Sequence, residues 1–158
     1  KGVKKIYLSN RTKSKAEDIR LPHTNNNNKS IIEIVEWEKL LKDPPDADII
    51  INATSLGLKK GDIIPFDYKK YKNKFFYDVV YNKKENLPVV FESFQGTMFL
   101  AGGMGCGNSV RNGAAMLILQ AASAFSIWHG FDPIRKEITN FNKTVEHVFP
   151  DFLKENVN

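Results

Sequence analysis

Cysteine is almost absent from this chain: its 158 residues contain one, Cys106. A lone cysteine excludes an internal disulfide framework and a multi-cysteine zinc site, and it suits a reducing, cytoplasmic compartment. Long hydrophobic runs are missing as well. The most apolar stretch, GAAMLILQAASAFSIW at residues 113–128, is interrupted by Gln120, Ser123 and Ser126. It falls short of the roughly 20 apolar residues that a membrane span needs. The N-terminal KGVKKIYLSN starts positive, but its apolar run is too short for a secretory signal. Histidine is scarce and scattered: His23, His129 and His147 form no pair at metal-ligand spacing, so no metal is expected. There is also no basic stripe. Lys4, Lys5, Lys13, Lys15 and the KKYKNK run at 69–74 sit in short connections, which argues against nucleic-acid binding even with Tyr68 and Tyr71 interleaved. Glu33, Glu36 and Glu38 fall on a strand-to-helix stretch and are expected to face solvent.

What is present is an ordinary globular composition. The chain is 42% apolar and 26% charged, enough to bury one core. Its net charge of +5, from 23 basic against 18 acidic residues, favours anionic partners of some kind.

Hydrophobic patterning gives the organisation. KKIYLSN reads as a strand and SKAEDIR as a short helix that Thr12 or Ser14 could cap. LPHTNNNNKS, with consecutive asparagines, favours irregular backbone. IIEIVEW alternates and reads as a strand; EWEKLLKD reads as a helix stopped by Pro44 and Pro45. ADIIINATS is a continuous apolar run, the pattern of a parallel strand buried on both faces, and KFFYDVVYN is a second such run. LPVVFESFQG reads as a short helix, and GAAMLILQAASAFSIWHG as a long one closed by Gly130. The remainder after residue 131 reads as partly helical, broken at Pro150. Strands alternating with helices at short intervals predict an α/β fold with a mostly parallel sheet.

In such a doubly wound sheet, ligands sit beyond the carboxyl ends of the strands. The tip after IYLS has no carboxylate. It carries Asn10, Arg11, Thr12, Lys13, Ser14 and Lys15. An acidic residue at the tip of the second strand selects NAD through the ribose hydroxyls, whereas an arginine there accommodates the 2′-phosphate of NADP. Arg11 has the planar fork to hold a phosphate bidentately, so the tip points to NADP. Gln120 is a lone amide in an apolar helix; buried unpaired it would cost about 1–3 kcal/mol, so a polar partner is expected for it. Asp78 reads as structural, accepting backbone hydrogen bonds, and His129 as packing at a helix end.

NRTKSKAE, DIIINATSLGL, FFYDVVYN and MLILQAASAFSIWHG occur in that order. Together they resemble the cofactor domain of the shikimate dehydrogenase family, over about residues 1–133. The resemblance implies a Rossmann-like domain at 1–131 followed by a helical tail at 132–158, and NADP-dependent reduction of 3-dehydroshikimate to shikimate by a monomer or homodimer. It implies that Asn10 to Lys15 hold the 2′-phosphate, and that Asn52, Thr54 and Ser55 line the cleft near the nicotinamide. Val79 would pack on the nicotinamide, Gly113 would meet its carboxamide, and Tyr81 and Gln120 would reach the substrate. A quinate-type relative and a non-catalytic nucleotide-binding module are the alternatives.

Measured against the family, the expectation is a domain lacking its first strand, glycine loop and first helix, with the proton-handling lysine and aspartate of the substrate domain also outside it. No catalytic residue is therefore expected in these 158 residues, and no activity from them alone. Gly103, Gly105 and Gly107 give G-x-G-x-G, which fails the context test for a phosphate loop. The glycine-rich stretch around 102–107 reads instead as an inserted loop or a flap near the substrate mouth.

Overall fold

The computed structural model describes residues 3–20, 31–57, 59, 62–80, 96–131 and 143. The first unit is a strand, β1 (Lys5–Leu8), a helix, α1 (Lys13–Arg20), and a second strand, β2 (Ile31–Ile34). The turn into α1 is set by Asn10, whose Oδ1 accepts the Thr12 amide at 2.8 Å. On α1 only Ala16 is buried, the small side chain that lets a mostly charged helix approach its neighbours. β1 and β2 run parallel, with Lys5 opposite Ile31 and Leu8 opposite Ile34. A short helix, α2 (Trp37–Lys42), follows and ends at Asp43, because Pro44 and Pro45 cannot continue it.

The second unit is a three-stranded parallel sheet in the order β3 (Ile49–Asn52), β4 (Phe75–Asp78), β5 (Ser109–Asn112). A 3-10 turn at Tyr68–Lys70 leads towards β4, and α3 (Met98–Gly105) precedes β5. The last helix, α4 (Ala114–His129), closes on Gly130 in the left-handed region at φ 71°, a conformation that glycine adopts without a steric penalty.

The core lies on one side of this sheet. Ile64, Phe66, Tyr71, Phe76, Phe99 and Leu100 are buried together, with Ile50, Tyr68 and Val110 packed against them. Phe66 stacks on Tyr71 at 5.4 Å, and Phe76 meets Phe99 at 5.2 Å. Asn108 pins three segments around this cluster. Its Nδ2 donates to the carbonyls of Tyr71 and Gly103, and its Oδ1 accepts the Lys74 amide.

Two sequence expectations need correction. The IIIN strand is covered on one face only: Ile49 and Ile51 are 56% and 60% exposed. An unbroken apolar run therefore identified a parallel strand but overstated its burial, since no described element covers the outer face. The glycine-rich stretch is neither an insertion loop nor a flap. It forms α3 and leads directly into β5, and its glycines are packing devices. A Cβ on Gly102 would lie 2.8 Å from the Tyr68 ring, and one on Gly103 would lie 2.8 Å from the Phe76 ring. The expected helix in LPVVFESFQG, apart from its final Gly96, the helical tail at 132–158 apart from residue 143, and the asparagine run all lie outside the described residues. No helix among the described residues is long and apolar enough to cross a membrane.

Candidate nucleotide site

Parallel pairing brings the carboxyl ends of neighbouring strands to one edge, and both units place polar groups there. In the β1–β2 unit, Asn10, Arg11 and Lys13 from the first tip meet Ile34, Val35, Glu36, Trp37 and Glu38 from the second around a pocket of about 230 Å³. Drug-sized ligands occupy roughly 300–1,000 Å³, so this pocket suits one moiety of a nucleotide rather than the whole. Its floor is apolar and its rim is charged. Arg11 is exposed and makes no ion pair or hydrogen bond among the described residues. Lys13 is engaged: its Nζ lies 3.1 Å from Glu36 Oε1, and that hydrogen bond raises its pKa above the usual lysine value. Thr12, Ser14 and Lys15 do not line the pocket; Lys15 donates its amide to the Thr12 carbonyl at the start of α1.

Glu36, Trp37 and Glu38 were not singled out as site residues from the sequence. The signal was present, because a strand parallel to β1 must end beside it, which puts VEWE at the same edge as NRTK. Glu33, Glu36 and Glu38 are exposed as expected, though Glu33 pairs with Lys5 at 2.5 Å. Lys70 pairs with Asp43, and Lys74 with Asp46 and Asp48, so several lysines are matched locally by carboxylates.

At the second edge, strand register aligns Asn52, Asp78 and Asn112 in one polar row. Asn52 is 3% exposed, and both ends of its amide are committed. Nδ2 donates to the Leu56 carbonyl and to Asp78 Oδ1, while Oδ1 accepts the amide and the hydroxyl of Thr54. An amide has two donors and two acceptor sites, so Asn52 has no capacity left for a ligand and acts by shaping the loop that presents Thr54 and exposed Ser55.

Asp78 is fully buried and fixes this arrangement. Oδ1 accepts from Asn52 and from the Val80 amide; Oδ2 accepts the Thr97 hydroxyl, and Thr97 in turn caps α3 by accepting from Leu100. The structural role expected for Asp78 is borne out. Burial pushes its carboxyl above the usual carboxylate range, against the opposing pull of Thr97, Val80 and Asn52.

Gly113, at the start of α4, meets Val79 directly. A Cβ there would sit 2.1 Å from the Val79 carbonyl oxygen, so only glycine allows this approach, and two expected site residues are in contact. Asn112 Oδ1 accepts the Ala114 amide and helps to start α4. Gln120 is exposed, so the burial argument for a polar partner does not apply to it. Tyr81 lies outside the described residues. His129 packs its ring 4.2 Å from that of Phe125, as expected of a helix-end histidine. Among the described residues, no group of three or more His, Cys, Asp or Glu could hold a metal ion.

No family model matches the chain. Individual proteins do. The shikimate dehydrogenase (NADP(+)) of Pelagibacter ubique is 42% identical over 132 residues, spanning 83% of this chain and 42% of that protein. The chain belongs to the shikimate dehydrogenase family. It spans less than half the length of curated relatives it matches. Among solved structures, shikimate dehydrogenase from Aquifex aeolicus aligns over 81% of this chain and 40% of its own, at 28% identity and a TM-score of 0.58. The ligand-free 5-ketofructose reductase of Gluconobacter sp. strain CHM43 aligns over 81% of this chain and 43% of its own, at 27% identity and a TM-score of 0.63. The Rossmann-like α/β class expected from the sequence is that of these neighbours.

Proposed function

We propose that this chain forms the nucleotide-binding part of an NADP-dependent dehydrogenase that interconverts 3-dehydroshikimate and shikimate. The observation that carries the reading is Arg11: a guanidinium at the rim of a pocket beyond a parallel strand, with no carboxylate among the described residues holding it. An arginine tied to an internal carboxylate could not serve a phosphate without breaking that bond; Arg11 has no such bond to break. The name of the Pelagibacter relative specifies NADP, in agreement.

The residues present fit the group. Asn10, Arg11 and Lys13 would line the 2′-phosphate site, with Arg11 as the bidentate contact, and Thr12, Ser14 and Lys15 would stand behind them at the start of α1. Thr54, Ser55, Val79 and Gly113 would stand at the nicotinamide end, where Asn52 and Asp78 fix the backbone beneath them. Bound NADPH supplies a hydride to the carbonyl carbon of the substrate. This chain's part is to bind and orient, with Tyr81 and Gln120 reaching the substrate. The groups that move the hydroxyl proton would belong to a substrate domain beyond these residues, in keeping with the partial coverage of the relatives.

The test is cofactor discrimination in the whole enzyme. A charge-assisted contact is worth about 1.5–3 kcal/mol, so Arg11→Ala should raise KM for NADP about ten- to hundredfold. KM for NAD should change much less. Equal loss with both cofactors would overturn the 2′-phosphate role. Assays with shikimate, quinate and 5-ketofructose would fix the substrate, since neighbours of this fold include a 5-ketofructose reductase.

A further inference from the structure

We infer that Glu36 limits how strongly the β1–β2 pocket prefers a nucleotide bearing a 2′-phosphate, by holding Lys13 in an ion pair with which the phosphate must compete. The inference rests on the nucleotide reading above and adds to it a specificity-determining residue. The rim carries Arg11 and Lys13, but it also carries Glu36 and Glu38, so its formal charge sums to zero. A purely phosphate-selecting rim would have no carboxylate. Here one carboxylate lies 3.1 Å from the second cation, on an element that follows a different strand. Lys13 and Glu36 are both exposed, at 61% and 66% of the side chain, so the pair can open at little cost and either partner can turn to a ligand. The two cations therefore differ in kind. Arg11 stands ready, whereas Lys13 must be released, and Glu36 left behind repels the arriving anion.

Glu36→Gln keeps the size and hydrogen-bonding reach of the side chain and removes its charge. Because Glu36 is exposed, the fold should survive, and a thermal melt checks that it does. Isothermal titration with adenosine 2′,5′-bisphosphate and adenosine 5′-monophosphate gives an affinity ratio that reads the 2′-phosphate alone. The ratio should rise about 1.5- to fivefold in Glu36→Gln, the scale set by exposed ion pairs. The rise should vanish when Lys13→Met is added, and should be smaller for Glu38→Gln, which makes no ion pair with Lys13.

An unchanged ratio in Glu36→Gln overturns the inference. So does a rise that survives Lys13→Met, or an equal rise in Glu38→Gln; either would mean a diffuse field rather than a held lysine. Arg11→Ala separates the two levels. If it collapses the ratio while Glu36→Gln leaves it unmoved, the cofactor reading stands and the role of Glu36 falls. If Arg11→Ala leaves the ratio unmoved, or if neither nucleotide binds any form, the cofactor reading fails and the inference fails with it.

Discussion

At the carboxyl edge of β1–β2 the charged side chains are exposed: Lys13 pairs with Glu36, and Arg11 has no partner among the described residues. At the edge of β3–β4–β5 they are buried and bonded inward. Lys13–Glu36 is more than three-fifths exposed on both side chains, and such pairs contribute about 0–1 kcal/mol where they can be measured. Asp78 and Thr97 are 0% and 1% exposed, with Asn52 at 3%, and every bond among them crosses between elements. The first edge can trade its contacts for a ligand's at little cost to the fold. The second edge cannot; its polar groups hold the backbone that a ligand would meet. One sheet end is chemically available and the other is structurally committed, although both follow from parallel strands ending at a common edge.

The largest difference should appear at the closest backbone approach. Gly113→Ala would place a methyl 2.1 Å from the Val79 carbonyl oxygen, and backbone cannot swing aside as a side chain does. The expected cost is about 3 kcal/mol, the upper end for overpacking, read from urea denaturation midpoints. A loss under about 0.5 kcal/mol would mean that α4 is free to move away from β4.

Asp78→Ala comes next. It leaves the Asn52 amide, the Val80 amide and the Thr97 hydroxyl without their common acceptor, at about 2–3 kcal/mol. Asp78→Asn keeps one oxygen for Asn52 and Val80 and should recover most of that loss. The same residue gives a pH signature. Its folded-state pKa is raised by burial, so between the unfolded and folded values the folded protein binds more protons. Stability from this group is therefore fully present below the ordinary carboxylate value and is lost as pH rises through the raised one. Melts of wild type against Asp78→Asn should show the wild type gaining relative stability as pH falls from neutrality towards that range. A relative loss on acidification would mean that hydrogen bonding to the carboxylate outweighs its burial.

Much of this contrast could be read in the sequence, and the reasons for the misses are physical. Apolar runs found four of the five described strands, β1 to β4, because parallel strands need them; β5, SVRN, has a single apolar residue and was missed. Pro44–Pro45 and Gly130 marked helix ends, because each forbids or permits a particular backbone angle. Arg11 could be found because the absence of an acid at a strand tip is a local property. Glu36 at Lys13 was missed because periodicity does not state strand order; only the inference that β2 runs parallel beside β1 brings the two tips together. Gln120 was misjudged because an apolar helix was assumed to be enclosed all round, yet Leu119 and Ile127 on the same helix are 53% and 82% exposed. The glycines of α3 were misjudged for the opposite reason. Glycine suggests a loop when only backbone freedom is considered, but here it makes room for Phe76 and Tyr68.

The smallest effect is also the most discriminating. Arg11→Ala should leave the melting temperature of the protein without ligand almost unchanged, within about 0.5 kcal/mol, because an exposed side chain with no described partner has nothing to lose on removal. The same substitution should abolish most of the additional thermal stabilisation that adenosine 2′,5′-bisphosphate gives over adenosine 5′-monophosphate. Ligand stabilisation scales as RT ln(1 + [L]/Kd), so a hundredfold weaker Kd removes about 2.7 kcal/mol at saturating ligand. Asp78→Ala should do the reverse: it should shift the melt without ligand while keeping the difference between the two nucleotides. If Arg11→Ala destabilises the protein without ligand as much as Asp78→Ala does, the two edges are not divided between binding and support, and Arg11 belongs with the scaffold.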